Sequence, residues 1–447
     1  MALKIDWETL MKFNKMFYLT FLLLNLACSP PEPTLPGVRE MLDGSAVIKA
    51  EDWYKIDNLP KLKLPEPSSN SKWTHRGGNA QHNPGHVSLA GSLKLKWQSS
   101  IGRGNSRRHQ IASGPVAEEG QIFTLDSQSL VTALDVNGVI LWQRDVSSEF
   151  EEQVDASGGG LALAKDQLFV TTGFGTVQAL NAKTGEVLWL QDLESYGGAS
   201  PTIYENLLYL SARDGSAWAI ETDTGRVKWQ VSGPSARSGF VGGPGAAVND
   251  KYALFPFGSG DIFAVFRKGG LPSWNSVLSG ARMGRSLGSV QDLTGQPVID
   301  LNTIYLSNSV GRMAALDLET GKRKWTSNEG SNGDILVLGE SIFFVTDENR
   351  LARVSKLDGS LIWSVQLPHF TKKNTKRRAE IFAHYGPILA GGRLVLVSSD
   401  QLLREFDPLN GSLISSIELP SAAASNPIVV NETLYTLTVE GDLLAFR

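Results

Sequence analysis

Three of the six histidines, His75, His82 and His86, fall within one short stretch, and neutral imidazoles gathered in this way can ligate zinc or copper. Their spacing matches no standard site. The stretch that carries them, residues 71–86, is rich in Gly and Asn, so it reads instead as a loop packing against, or plugging, a larger scaffold. Arg76-Gly77-Gly78 is a Gly-rich turn with no helix after it to hold a phosphate. Gly258-Ser259-Gly260-Asp261 reads as a hairpin turn and not as the strand-to-helix elbow of a serine hydrolase. Aspartates such as Asp135 and Asp317 stand at turn positions, where capping is their work, and not in facing acid/base pairs. No catalytic set and no metal set is assigned.

The single cysteine, Cys28, excludes an internal disulfide framework and any cysteine-based metal cluster. It ends an apolar run over residues 16–27 that follows Lys12 and Lys15. As a helix this run rises only about 18 Å, too little for a stable span, so residues 1–27 are predicted to be a cleaved signal peptide. Asp6 and Glu8 are out of character for the positive start of such a signal, and translation from Met11 is the alternative to Met1. Residues 28–71 contain Pro30, Pro31, Pro33, Pro36, Pro60, Pro65 and Pro67, which favour an extended tether. A net charge of −4 supplies no basic field to attract nucleic acid.

From Trp73 onward the chain repeats. An apolar strand runs into Asp or a substitute, then a turn glycine, then Trp four residues after it: Gly138 and Trp142, Gly185 and Trp189, Gly225 and Trp229, Gly270 and Trp274, Gly321 and Trp325, Gly359 and Trp363. Gly411 begins the same count, but Ser415 stands where Trp is expected. The period is about 45 residues, room for four short antiparallel strands, which is the size of a propeller blade. The segments at 93–97 and 442–447 are an outer strand without an inner neighbour and an inner strand without an outer partner. Pairing them closes a ring and removes both exposed edges. The prediction is an all-β, eight-bladed β-propeller over residues 72–447.

The nearly intact Ala315-Leu316-Asp317-Leu318-Glu319-Thr320-Gly321-Lys322-Arg323-Lys324-Trp325 resembles the pyrroloquinoline-quinone (PQQ) enzyme repeat. WD and kelch repeats fit less well: no Trp-Asp dipeptide ends a repeat, and Gly242-Gly243 and Gly391-Gly392 are out of phase with the tryptophans. Leu26-Ala27-Cys28 resembles a bacterial lipobox, although Asn25 stands where that pattern carries an apolar residue. Lipobox, tether and one ring together resemble the BamB family of β-barrel assembly lipoproteins. The resemblance implies acylation of Cys28, an outer-membrane location facing the periplasm, and no chemistry or cofactor. The implied partners are the POTRA domains of BamA, other subunits of the BAM complex and unfolded outer-membrane proteins. The rival reading is a quinoprotein dehydrogenase. Such enzymes pair adjacent cysteines with a Glu, Asn and Asp around calcium, and neither set is assignable here.

In a propeller the A–B and C–D turns share one face, and the B–C turns and D–A links share the other. The links after each Trp are long and charged: Arg103, Arg107 and Arg108; Glu149, Glu151 and Glu152; Arg237; Arg282, Arg285 and Asp292; then Lys372, Lys373, Lys376, Arg377 and Arg378. Long links on a rigid frame favour recognition, so the D–A face is the preferred binding face. The family resemblance places the BamA contact at 233–244 and 284–297, with Arg237 as the arginine, Phe240 as a nearby apolar residue and Asp292 as an acid. Thr294 stands where the pattern has a second acid.

Overall fold

The structure, a computed structural model, describes residues 59–447 except 148–157, 194, 196–198, 213, 236–242, 281–291, 332 and 375–377. The signal segment, Cys28 and residues 29–58 of the tether therefore lie outside the described residues.

Eight sheets, each holding four antiparallel blade strands, are built from successive repeats, with strand order A-B-C-D in each. Blade 1 spans residues 116–145, blade 2 159–192, blade 3 202–232, blade 4 247–277, blade 5 298–327, blade 6 336–366 and blade 7 384–418. Blade 8 takes its first three strands from 428–446 and its outer strand from Leu95–Ser100. Leu95 pairs Phe446, Trp97 pairs Ala445 and Ser100 pairs Asp442, so the ring closes where the unpaired strands required it. The B and C strands are buried on both faces and read as unbroken apolar runs, as in Leu207–Ser211. The D strands alternate exposed and half-buried, as in Val227–Ser232, because only one side meets the next blade.

A bulge recurs where each D strand meets its C strand. Leu134 pairs Ile140 while Ala133 pairs Trp142, which leaves Leu141 unopposed. The bulge turns the indole toward the next blade. There each tryptophan lies against the turn glycine, so that a Cβ on Gly185 would sit 2.6 Å from the Trp142 ring and one on Gly270 2.7 Å from Trp229. Except in Trp363, whose buried N–H meets no acceptor among the described residues, the indole N–H then donates to that blade's backbone, Trp142 to the Ala182 carbonyl at 2.9 Å and Trp229 to that of Arg267 at 3.1 Å. Trp97 closes the circuit, lying on Gly138 and donating to the Val136 carbonyl at 3.0 Å.

Ser415 breaks the pattern for a topological reason. The C and D strands of blade 8 come from distant parts of the chain, so no C–D turn exists there for a tryptophan to cover. The space holds a polar chain instead. Ser415 Oγ donates to Glu405 Oε2 at 2.5 Å, Glu405 pairs with Arg393 at 2.8 Å, and Arg393 donates to the carbonyls of Ala90 and Gly91.

The lock predicts opposite outcomes at adjacent residues. Gly270 has φ +68° beneath Trp229, whereas a Cβ on Gly269 would meet nothing within 4 Å. Gly270→Ala should cost about 1–3 kcal/mol from backbone strain, with more from the displaced indole, while Gly269→Ala should stay within about 0.5 kcal/mol. Chemical denaturation of both variants checks this.

Candidate binding faces of the ring

Each A strand ends the inner edge of its blade with N–H groups that no further blade strand receives. Residues 68–90 receive them, passing around the channel at the A–B end and touching every blade. Trp73 exchanges backbone bonds with Ala117 of blade 1, at 2.7 and 2.9 Å, and the Thr74 carbonyl accepts from Leu163 of blade 2 at 2.9 Å. In blade 3, Ile203 N–H donates to His75 Nε2 at 2.9 Å. The carbonyls of Ala80 and Gln81 accept from Val248 and Ile299 of blades 4 and 5, at 2.8 and 3.0 Å. Arg76 Nε lies 3.7 Å from Asp334, just ahead of the first strand of blade 6, and His86–Val87 adds a parallel fifth strand to blade 7. Asn431 of blade 8 donates to the Asn70 carbonyl at 2.8 Å.

The three histidines are thus spread over blades 3, 5 and 7. His75, with Nε2 accepting, carries its proton on Nδ1 toward Thr74 Oγ1, 2.8 Å away. His82 Nδ1 donates to the Pro297 carbonyl at 2.9 Å. His86 Nδ1 donates to the Pro65 carbonyl at 2.6 Å while its Nε2 accepts from Gly392 N–H at 2.8 Å. Among the described residues no group of three or more His, Cys, Asp or Glu is placed to hold a metal. Burial lowers the pKa of His75 to about 3, helped by the nearby His82, and burial lowers that of His82 to about 4.

The described end of the tether, from Leu59, also packs on the ring, a contact its proline content did not foretell. Leu59, Leu62 and Leu64 lie against the core of blades 6 and 7, and Arg353 donates to the Pro60 carbonyl at 3.3 Å. The spacing Leu62-Lys63-Leu64 was the available signal: alternation of apolar and charged residues marks an extended segment with one buried side.

On the C–D face the turns are short and tied to the A–B turn of the preceding blade by ion pairs: Arg267 with Glu205 at 2.9 Å, Glu319 with Lys251 at 3.3 Å, and Lys356 with Asp300. The opposite face carries the long links. Arg237 and Phe240 lie outside the described residues, as do Glu149, Glu151, Glu152, Arg282 and Arg285. Asp292 is 5% exposed, and Thr294 Oγ1 donates to the Ser331 carbonyl of the next link at 2.6 Å. Gln296 Oε1, in the second window, accepts at 2.9 Å from the N–H of Gly245, one residue beyond the first. Gln296 N–H reaches on to Asp334 Oδ1 at 3.3 Å, in the following link. Arg103, Arg107, Arg108, Lys372, Lys373 and Arg378 are exposed.

A family model described as outer membrane protein assembly factor BamB matches residues 127–365 and 345–447, which is more than half of the chain. The chain belongs to the BamB family. The outer membrane protein assembly factor BamB of Shewanella oneidensis is 26% identical over 359 residues, covering 78% of this chain and 88% of that protein. The crystal structure of BamB from Moraxella catarrhalis superposes with a TM-score of 0.65 at 17% identity, over 80% of this chain and all of that one. Quinohemoprotein alcohol dehydrogenase from Comamonas testosteroni gives 0.64 at 14% identity, over 84% and 80%, a likeness of fold alone. BamB relatives therefore share both sequence and ring with this chain.

The buried imidazoles set a pH dependence. Both are held neutral in the folded chain and titrate near 6.5 when unfolded, so their stabilising effect is complete above about pH 6.5 and is lost as pH falls toward 4. His75→Gln with His82→Asn keeps one acceptor and one donor without the proton uptake. The melting temperature of that variant should fall less steeply between pH 6.5 and 4.5 than that of the wild type; equal slopes would contradict the burial of neutral imidazoles.

Proposed function

We propose that this chain is a non-enzymatic scaffold lipoprotein of the outer-membrane β-barrel assembly complex, which binds BamA POTRA domains and assists insertion of outer-membrane proteins. Membership of the BamB family carries the reading. In this proposal Cys28 is acylated and holds the ring at the periplasmic face of the outer membrane, where stable anchoring takes two or more acyl chains. The ring contributes rigidity. The blades that carry the links are held in place by the indole locks, so the frame on which a partner docks needs no ordering on binding.

Arg237 and Phe240 are proposed to make the direct partner contact from one D–A link. Asp292, being buried, and Thr294, committed to Ser331, act in this reading by shaping the adjoining link. The dehydrogenase alternative has less support. Cys28 is the only cysteine, so the paired cysteines of that class are missing, and at the A–B end residues 68–90 take up the inner edges of the blades.

The test is co-purification from detergent-solubilised membranes. Arg237→Glu with Phe240→Ala should lower recovery of BamA tenfold or more, since a central contact removed costs about 2 kcal/mol and 1.4 kcal/mol is tenfold. Glu319→Lys with Lys322→Glu, on the C–D face, should leave recovery unchanged, because the exposed Glu319–Lys251 pair contributes little to the fold. The reverse outcome would assign binding to the C–D face.

A further inference from the structure

Between blades 6 and 7 the D–A link folds back on itself as a hairpin. Phe370 bridges Ile381, Thr371 N–H donates to the Glu380 carbonyl at 3.1 Å, and Phe382 N–H donates to that of His369 at 2.8 Å. Its base is fixed to blade 6. His369 Nδ1 donates to the Glu348 carbonyl at 3.1 Å, and Asn349 Nδ2 donates to that of Phe382 at 2.7 Å. From 370 to 381 every described residue is exposed.

The hairpin is amphipathic in an unusual place. Lys372, Lys373 and Arg378 project from it against one acid, Glu380, whose carboxylate is already met by Thr371 Oγ1 at 3.5 Å. Beneath these cations Phe370 and Ile381 stand 39% and 48% exposed, with the Arg378 guanidinium 4.9 Å from the Phe370 ring. A loop selected only for solubility has no need of an exposed Phe and Ile on opposite strands of one hairpin.

We infer that this hairpin is a membrane-contact element that docks on an anionic phospholipid bilayer surface. The cations meet phosphates, and the Phe370–Ile381 pair enters the boundary between headgroups and acyl chains. Three exposed cations beside an exposed apolar pair suit a fluid anionic surface, which closes around them, better than a protein partner, which would need a matching cleft. The chain as a whole carries −4, so an anionic surface repels most of it and, within a Debye length, selects the orientation that presents Lys372, Lys373 and Arg378. Such docking would tilt the D–A face toward the membrane. It uses neither the lipid on Cys28 nor the link that carries Arg237 and Phe240, and it goes beyond the assembly role.

The test uses residues 53–447, the compact unit that holds every sheet and residues 68–90, so that no acyl chain is present. Sedimentation compares vesicles of phosphatidylcholine alone with vesicles of phosphatidylcholine and phosphatidylglycerol. Binding should appear only on the anionic vesicles and weaken with salt. Lys372→Glu with Lys373→Glu and Arg378→Glu should reduce it roughly 100-fold or more, at about a factor of five or more per cation. Phe370→Ser with Ile381→Ser should reduce it at least several-fold, with circular dichroism melting confirming that both variants remain folded. The inference is overturned if the wild type ignores anionic vesicles, or if the folded charge variant binds them as well as the wild type. It is equally overturned if the charge variant keeps vesicle binding but loses BamA in the co-purification, which would make the hairpin a protein contact. Loss of vesicle binding with BamA recovery intact supports it.

Discussion

An indole resting on a glycine sets the geometry of this ring. The turn glycine must be glycine twice over, for its positive φ and because a Cβ would enter the neighbouring tryptophan. The tryptophan in turn needs the bulge before it to aim it across the gap. Every blade but the seventh is thereby keyed to the next, the seventh meeting the eighth through the Ser415–Glu405–Arg393 chain instead, and Trp97 carries the key from blade 8 to blade 1. A hydrophobic interface of flat sheets would hold blades together without fixing their angle; the indole N–H to backbone bond fixes the angle as well.

What the sequence displayed, and what it concealed, follows from that construction. The lock repeats, so it leaves a period: glycine and tryptophan four residues apart, seen from Gly138 to Trp363. Ring closure was legible because propeller topology leaves no other partner for 93–97 and 442–447. Ser415 was legible only as an exception, since its cause is the missing turn in blade 8 and not anything near it in sequence. Residues 68–90 meet successive blades at uneven intervals along the sequence, so the segment has no period, and its chemistry showed only as three histidines in Gly/Asn-rich sequence. Their separation onto three blades could not be read from their nearness along the chain. The candidate site was the least legible, because links of unequal length and composition carry no register. Asp292 looked like a surface acid, and it is buried.

Function follows from the division of labour between the two faces. Short turns tied by ion pairs face one way, at the end where residues 68–90 take up the inner edges of the blades. Long links, joined through Gln296 to Gly245 and Asp334, face the other. A ring tied by ion pairs at one face and variable at the other accords with the BamB family to which the chain belongs.

The central claim is that closure between Leu95–Ser100 and Asp442–Phe446 makes the eight blades one cooperative unit. Native-state hydrogen exchange read by mass spectrometry tests it most directly. Peptides covering these two strands should exchange with the same free energy as the central strands of blades 2 to 6, near that of global unfolding. Exchange of the two strands through a separate, much cheaper opening would contradict it and leave the ring as a row of blades with loose ends.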